Sequence, residues 1–576
     1  MRKLFKFLKP YMLFTIIAPL FMLVEVAMDL MQPMLMSRII DVGVKNSDKA
    51  YIIWMSVAMC ACALVGIIGG VGNMYFSTKA GYGFAKDLRS AVYRKIQSFS
   101  FANVDTFKTG SLITRTTNDV TQIQNAFTSC IRMLVRSPFL CIGGIVSVLM
   151  ISPKLSLVVL TAVPFLVVLI VILLKKGRVL FSTMQEKLDR VNTVMQESLS
   201  GIRVIKAFAR SDHENKKFRK ANGDLTESSM KAMRMMSFAF PMVGLIMNIT
   251  MILMYFFGGK MVFSSSLTPG EIMAFSNYIT QILISLTMSS FTLMFLSRAG
   301  VSFRRVNEVL DTKSDIADGE NKNLVVKKGE VEFRNVSFSY PGQAGEPVLK
   351  NISVTVKPGE TVAILGATGS GKSTLINLIP RLYDVTGGSV LIDGKDVRDY
   401  TLDNLRSAIG YALQENVLFT GTIEENLRWG DENASEEKIL KISEIAQAAP
   451  FVGKLADQYN TVLGQRGVNL SGGQKQRLCI ARALMKDPKI LILDDSTSAV
   501  DLTTEARIQS ALREVFSQMT VFIVAQRISS VMDADKILVM ENGEIIDMGS
   551  HNELKNRCAV YREIVSSQLG EEAVKE

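Results

Sequence analysis

Charge is what the first half of this sequence has least of. Tyr51–Thr78, Ser137–Pro153, Leu155–Leu174, Met235–Gly259 and Ile272–Ser297 carry no Asp, Glu, Lys or Arg, and residues 11–36 carry only Glu25 and Asp29. A bilayer crossing needs about 20 predominantly apolar residues in a helix, and each stretch reaches or approaches that length. A wholly soluble enzyme is thereby excluded. Histidine is nearly missing, and the two present, His213 and His551, lie too far apart to form a local metal motif. The six cysteines (Cys60, Cys62, Cys130, Cys141, Cys479, Cys558) are scattered, with no spacing that suggests a disulfide framework or a zinc site.

Basic residues are plentiful, and their placement predicts topology. They crowd the segment after the second apolar stretch (Lys79, Lys86, Arg89, Arg94, Lys95, Lys108, Arg115). They also crowd the one after the fourth (Lys175, Lys176, Arg178, Lys187, Arg190 and onward from Arg203 to Lys220). The loops 38–49, 152–154 and 263–271 are short and poor in them. The positive-inside tendency puts both termini and both basic segments on the cytoplasmic side of the cell membrane. Membrane topology also accounts for the net charge of +11, so no nucleic-acid partner is expected. The expected spans are residues 11–36, 51–78, 132–153, 155–174, 235–260 and 272–298, within an all-α membrane domain of residues 1–312. Residues 1–10 alternate basic and apolar, as in a helix lying on the membrane surface. The apolar stretch behind them is too long for a signal peptide and shows no small-residue cleavage site, so the first span stays in place.

Ser152-Pro153-Lys154 reads as a tight turn between antiparallel spans. The two basic segments mix apolar and charged residues with few breakers, which predicts spans two to five continuing as helices beyond the bilayer. The pairs should be joined by turns near Ser100–Thr109 and Phe208–Phe218, placed to touch a cytoplasmic domain.

The sequence turns polar after Asp311, and residues 313–328 read as a linker. From Gly329 short β-rich runs alternate with helices: Val331–Phe338, Thr361–Leu365, Ser389–Ile392, Ile409–Leu413, Ile490–Leu493, Thr520–Val524 and Lys536–Met540. This predicts an α/β P-loop domain over residues 329–570, then a disordered tail over 571–576. Behind the run Thr361–Leu365 stands Gly366-Ala367-Thr368-Gly369-Ser370-Gly371-Lys372-Ser373, with Thr374 next. Glycines let successive N–H groups face one concavity, a nest for anionic oxygens, and the following helix adds its positive end. Lys372 can reach the outer phosphates of a nucleoside triphosphate, and Ser373 can ligate Mg²⁺. The apolar strand Ile490-Leu491-Ile492-Leu493 ends in Asp494, an acid placed to hold that Mg²⁺.

Leu470-Ser471-Gly472-Gly473-Gln474, followed by Lys475-Gln476-Arg477, resembles the signature of ATP-binding cassette (ABC) proteins. With six spans ahead of the cassette, the whole chain resembles a bacterial ABC exporter half-transporter. The resemblance implies that Tyr340 stacks on adenine and that Gln414 senses the γ-phosphate and Mg²⁺ and faces the membrane domain. It implies that Ser498-Ala499-Val500-Asp501 crosses to the other subunit. ATP and Mg²⁺ are the implied cofactors, bound by Tyr340, the loop Gly366–Thr374, Gln414, Asp494 and Asp501. A second chain's Ser471, Gly472, Gly473 and Gln474 would close over the γ-phosphate, and closure would switch the spans from inward- to outward-facing.

Two positions depart from the pattern. Hydrolytic members usually carry Glu after the strand aspartate, and here Asp495 withdraws the carboxylate by roughly 1 Å, a displacement that can cost about 10²-fold in rate. Gln526 stands where the switch histidine is expected, and a neutral amide cannot carry an imidazolium's charge. Gln465 also stands where exporters often have Glu. With an untouched loop and signature, these departures resemble the degenerate-site subunit of heterodimeric multidrug exporters. The expected partner is a second half-transporter supplying the catalytic Glu and the switch His. A homodimeric exporter with weak ATPase, or an ATP-gated protein that does not pump, are the alternatives. Soluble ABC ATPases lack the spans, and importers usually keep spans and cassette on separate chains.

Glu25 and Asp29 lie four apart on one face of the first span. Carboxylates at membrane depth face a cavity or a partner. They are candidates for contact with a small amphipathic cationic substrate, for pairing with Arg132 or Arg136 or polar groups of another helix, or for hydration near the outer surface. The methionines of spans one, five and six suit either a promiscuous cavity for drug or lipid-like molecules or plain helix packing.

Overall fold

The structure, a computed structural model, describes the backbone of residues 5–319, 321–341 and 346–570, with side chains over the same residues except 5 and 290–298. The tail 571–576 and part of the sixth span's side chains lie outside the described residues. Two compact units divide the chain: residues 1–97 with 110–312, and residues 98–109 with 313–576.

Among the described residues of the first unit, six helices are long and apolar enough to cross a membrane. The first, Met12–Arg38, runs on through a wide π turn, Ile39–Val44. Lys49–Gln97, Pro153–Ser200 and Ser211–Phe263 follow the expectation that spans continue beyond the bilayer. At 1.5 Å per residue they reach about 70–80 Å, more than twice a hydrocarbon core. The third helix, Val120–Ile151, is preceded by Thr109–Thr114 and a wide turn at Arg115–Asp119. The sixth is Pro269–Asp311.

Caps define the outer turns. Ser152 accepts from the Leu155 N–H, and Pro153 starts the next helix where its missing N–H costs nothing. Thr268 and Glu271 form a capping box ahead of the sixth helix. The Asp41 carboxylate accepts from Thr268 Oγ1 at 2.6 Å and the Gly270 N–H at 2.9 Å, tying the first helix's end to the sixth helix's start. The second expected turn falls earlier than Phe208–Phe218: the fourth helix stops at Ser200, Ile202–Ala207 forms a short helix, and the fifth restarts at Ser211. Gly201 leaves helical geometry, Ala209 takes a positive φ of 51°, and Asp212 and Glu214 favour a helix start at 211.

The second unit holds the sheets. β1 (Val331–Phe338), β2 (Leu349–Val356), β4 (Gly387–Ile392) and β5 (Lys395–Asp396) form an antiparallel sheet in the order β2-β1-β4-β5. A second sheet joins β3 (Thr361–Gly366), β6 (Ile409–Ala412), β9 (Ile490–Asp494), β10 (Thr520–Val524), β11 (Lys536–Glu541) and β12 (Glu544–Gly549) in the order β12-β11-β3-β10-β9-β6. Only β12 runs antiparallel to its neighbour there. Strands β9 and β10 are buried at every residue, so they read as unbroken apolar runs. A small ribbon pairs β7 (Gly421–Thr422) with β8 (Val462–Leu463). The linker is pinned by Asp393, whose carboxylate accepts four consecutive N–H groups, from Lys327 to Glu330. The short helix Phe101–Phe107 belongs to this unit, with Asp105 accepting from the Tyr383 hydroxyl at 2.8 Å.

Candidate active site

Register brings four strand ends side by side. Ile364 of β3 pairs with Val524 of β10, Val524 with Asp494 of β9, and Leu493 of β9 with Ala412 of β6. The segments leaving these ends carry the loop 366–373, Gln526, Asp494 with Asp495, and Gln414. Ligands of open α/β sheets bind at such carboxyl ends.

The loop after β3 turns through Gly369 and Gly371, at φ 86° and 96°, where a side chain would strain the backbone. Ala367 and Thr368 are exposed at its crest, and helix Lys372–Asn377 leaves from its far side. The Lys372 side chain folds across the loop, Nζ donating to the carbonyls of Gly366 and Ala367 at 2.8 Å each. Burial pulls its pKa below the usual lysine range. Ser373 Oγ donates to Asp494 Oδ1 at 2.9 Å. Burial is also the first cause that raises Asp494 above the ordinary carboxylate range, and the Ser373 hydrogen bond opposes it. Ser370 Oγ is buried and has no hydrogen-bond partner among the described residues, in a loop whose curvature suits an anionic oxygen. Tyr340 shares a 3.0 Å hydrogen bond with Thr374 and packs edge-on against Phe338 and Tyr383.

Asp495 adopts φ 48°, a left-handed geometry that Asp tolerates better than most residues, and its N–H donates to the Val524 carbonyl at 2.9 Å. That geometry turns its carboxylate to Gln526, whose Nε2 donates to Asp495 Oδ2 at 3.3 Å. Desolvation raises the Asp495 pKa, with Lys372 and Arg527 opposing. Gln526 is itself held from the C-terminal helix Ala559–Leu569. Gln568 Nε2 donates to the Gln526 carbonyl, and Gln568 Oε1 accepts from the Ile528 N–H, both at 2.8 Å. Gln414 is exposed just beyond β6.

Ser471 and Gln474 form a capping box that starts helix Gly472–Leu484. No hydrogen bond joins Ser471–Gln474 to residues 366–373 among the described residues. Asp501 caps helix Leu502–Val515, and the Thr504 N–H it accepts at 2.9 Å holds its carboxyl below the ordinary range. The structure therefore gathers Lys372, Ser373, Asp494, Asp495 and Gln526 and leaves the signature outside that group. The roles of two residues of this site escaped sequence reasoning. Gln476, beside the signature, reaches Asp495 and Ser498, and Gln568 stands on a tail helix that no motif marks.

In the membrane unit Arg136 bridges both acidic side chains of the first span, at 2.9 Å to Glu25 Oε1 and 2.9 Å to Asp29 Oδ2. Of the three expected arrangements this is the pairing one. Arg132 makes no ion pair with them.

Comparison with known proteins agrees with this architecture. Residues 15–286 match the model of the ABC transporter transmembrane region, and residues 349–498 that of the ABC transporter family. An uncharacterised ABC transporter ATP-binding protein of Bacillus subtilis (strain 168) is 44% identical over 99% of both chains. An ATP-dependent lipid A-core flippase of Syntrophus aciditrophicus (strain SB) is 31% identical, over 100% of this chain and 95% of its own. A bacterial Atm1-family ABC exporter solved with ATP bound superposes with a TM-score of 0.82 at 26% identity, over 96% of this chain and 98% of that one. The chain belongs to the ABC exporters: it is a multi-pass half-transporter, a transmembrane region fused to an ATPase cassette that couples ATP hydrolysis to transport.

Proposed function

We propose that this chain is one half of a heterodimeric exporter, that its own loop site holds ATP tightly and turns it over slowly, and that its signature completes the partner's faster site. The observation that carries this reading is the hydrogen bond between Gln526 and Asp495. The carboxylate at the water-activating position is short, half-buried and engaged by a neutral amide. A general base must reach the proton it abstracts, and this one is withdrawn by about 1 Å relative to a glutamate.

Around that pair the binding machinery is complete. Ser373 and Asp494 offer hard oxygen ligands of the kind Mg²⁺ takes, with Gln414 as a third candidate. Mg²⁺ bound there would neutralise phosphate charge. Lys372, the orphan Ser370 hydroxyl and the amides of 366–373 would hold the phosphates, Thr374 would flank them, and Tyr340 would line the base. Ser471, Gly472, Gly473 and Gln474 act on the partner's ATP, and Asp501 is the last residue of the crossing segment. ATP favours the closed pair because only that state supplies both halves of each site.

The transported molecule is a small amphipath, drug-like or lipid-like. The lipid named for the Syntrophus relative supports a lipid-like substrate. Glu25 and Asp29 of the first helix and Arg136 of the third together carry one net negative charge, which favours a cationic headgroup near them. The basic segments support a reading with both termini on the cytoplasmic side of the cell membrane. ATPase activity of the purified chain, alone and with the half-transporter encoded beside it, tests the reading. Slow turnover alone and fast turnover together is the expected result. Equally fast turnover alone, unchanged by Asp495→Glu with Gln526→His, contradicts it.

A further inference from the structure

Gln476 lies on the second turn of helix Gly472–Leu484, and it is 3% exposed. Its whole amide is spent on the segment after Asp494. Oε1 accepts from the Ala499 N–H at 2.9 Å, and Nε2 donates to Ser498 Oγ at 3.2 Å and the Asp495 carbonyl at 3.4 Å. The helix start is pressed against the same segment, since a Cβ on Gly473 would lie 2.7 Å from the Ala499 carbonyl oxygen. From the other side Arg527 donates to the Ser498 carbonyl at 3.1 Å, and Gln526 to the Asp495 carboxylate. Residues 495–499 are thus held between the signature helix and the loop that follows β10.

We propose that Gln476 is a positioning residue that ties this chain's signature helix to its own nucleotide site through Asp495, Ser498 and Ala499. The inference rests on the two-site arrangement proposed above. Ser471–Gln474 serve the partner's ATP, whereas Asp495 and Gln526 face this chain's ATP. One rigid helix carries the first set, and the side chain of Gln476 grips the second. A shift of the 495–499 segment on ATP binding is therefore passed to the signature, and for the binding free energies of the two sites the linkage is reciprocal. An amide meets two demands at once: the Ala499 N–H needs an acceptor, and the Ser498 hydroxyl, which itself donates to the Asp495 carbonyl at 3.0 Å, accepts from a donor. Glutamate meets the first alone. Methionine keeps the volume and meets neither.

The test is the effect of one site on the other in the full paired transporter. Lys372→Ala in this chain empties its own site, and kcat at the partner's site is measured with Gln476 intact and with Gln476→Met. With Gln476 intact, kcat should fall by about fivefold or more, the lower end of ordinary coupling between sites. With Gln476→Met the same change should lower kcat less than about twofold, and Gln476→Glu should lie between, at unchanged KM for ATP. An equal factor in all three backgrounds overturns the tie. If Gln476→Met does not fold, Gln476→Glu and hydrogen exchange at Ala499 decide: exchange there should quicken, and protection of 471–474 by ATP at this chain's site should weaken. Unchanged exchange overturns the proposal. Turnover by the chain alone separately decides the two-site reading. If the chain is a homodimer, the same factor is measurable in a mixed dimer of Lys372→Ala and unaltered copies.

Discussion

Gln526 Nε2 donates to Asp495 Oδ2 across 3.3 Å, joining the two residues on which the proposed slow site rests. The contact uses a lone pair of the carboxylate proposed to stand where a water would be activated. Restoring either residue alone leaves the other half of the arrangement in place. Asp495→Glu should raise turnover of this chain's own site only modestly, and Asp495→Glu with Gln526→His should raise it by about 10²-fold, measured as single-turnover hydrolysis. Non-additivity of the two changes is expected because the side chains touch.

Gln568 holds the loop of Gln526 by two backbone hydrogen bonds. Gln568→Ala leaves the N–H of fully buried Ile528 unpaired, at a cost of about 1–3 kcal/mol to the cassette. Release of labelled ATP from this chain should quicken severalfold. Gln568→Glu, which still accepts from Ile528, should keep most of the stability but not the slow release.

Acid should stabilise the nucleotide-free cassette before it denatures it. Asp494 and Asp495 both have folded pKa values raised from 3.8, chiefly by burial. A raised carboxyl pKa means the folded state binds more protons than the unfolded one between the two values. Their contribution to stability therefore grows as pH falls through the folded pKa towards 3.8, and it is lost as pH rises. Asp495→Asn should raise the nucleotide-free Tm at pH 7 and flatten this part of the profile, as thermal unfolding from pH 4 to 7 would report.

The membrane triad should behave as a unit. Arg136→Met leaves Glu25 and Asp29 without their cation and should lower Tm by about 5–10 °C. Adding Glu25→Gln and Asp29→Asn should restore most of the loss. Uptake of cationic amphipaths should fall in the triple variant relative to neutral ones, assayed in vesicles.

Much of this molecule was legible because its strongest features are periodic or invariant in chemistry. Charge-free runs can be satisfied only by membrane-length helices, and the buried strands β3, β9 and β10 show as unbroken apolar runs. β2 and β12 were missed because alternate residues face outward: Leu349–Val356 mixes Lys, Asn, Ser and Thr into its pattern, and Glu544–Gly549 has no buried position. The positions of Asp495 and Gln526 were readable as following two strands, but their mutual hydrogen bond is set by register and by the left-handed turn at Asp495. Arg136 was one of several partners open to Glu25 and Asp29, since helix rotation within a bundle is not written in spacing alone. Gln476 lay in plain view beside the signature, yet its role depends on what packs against it.

The most direct measurement of the central claim identifies the nucleotide on each chain of the paired transporter after turnover. A photoreactive ATP analogue, crosslinked during steady-state hydrolysis, would be recovered from each chain separately. The account predicts triphosphate on the peptide around Lys372 of this chain and diphosphate on the partner. Diphosphate appearing on this chain as fast as on the partner would contradict it.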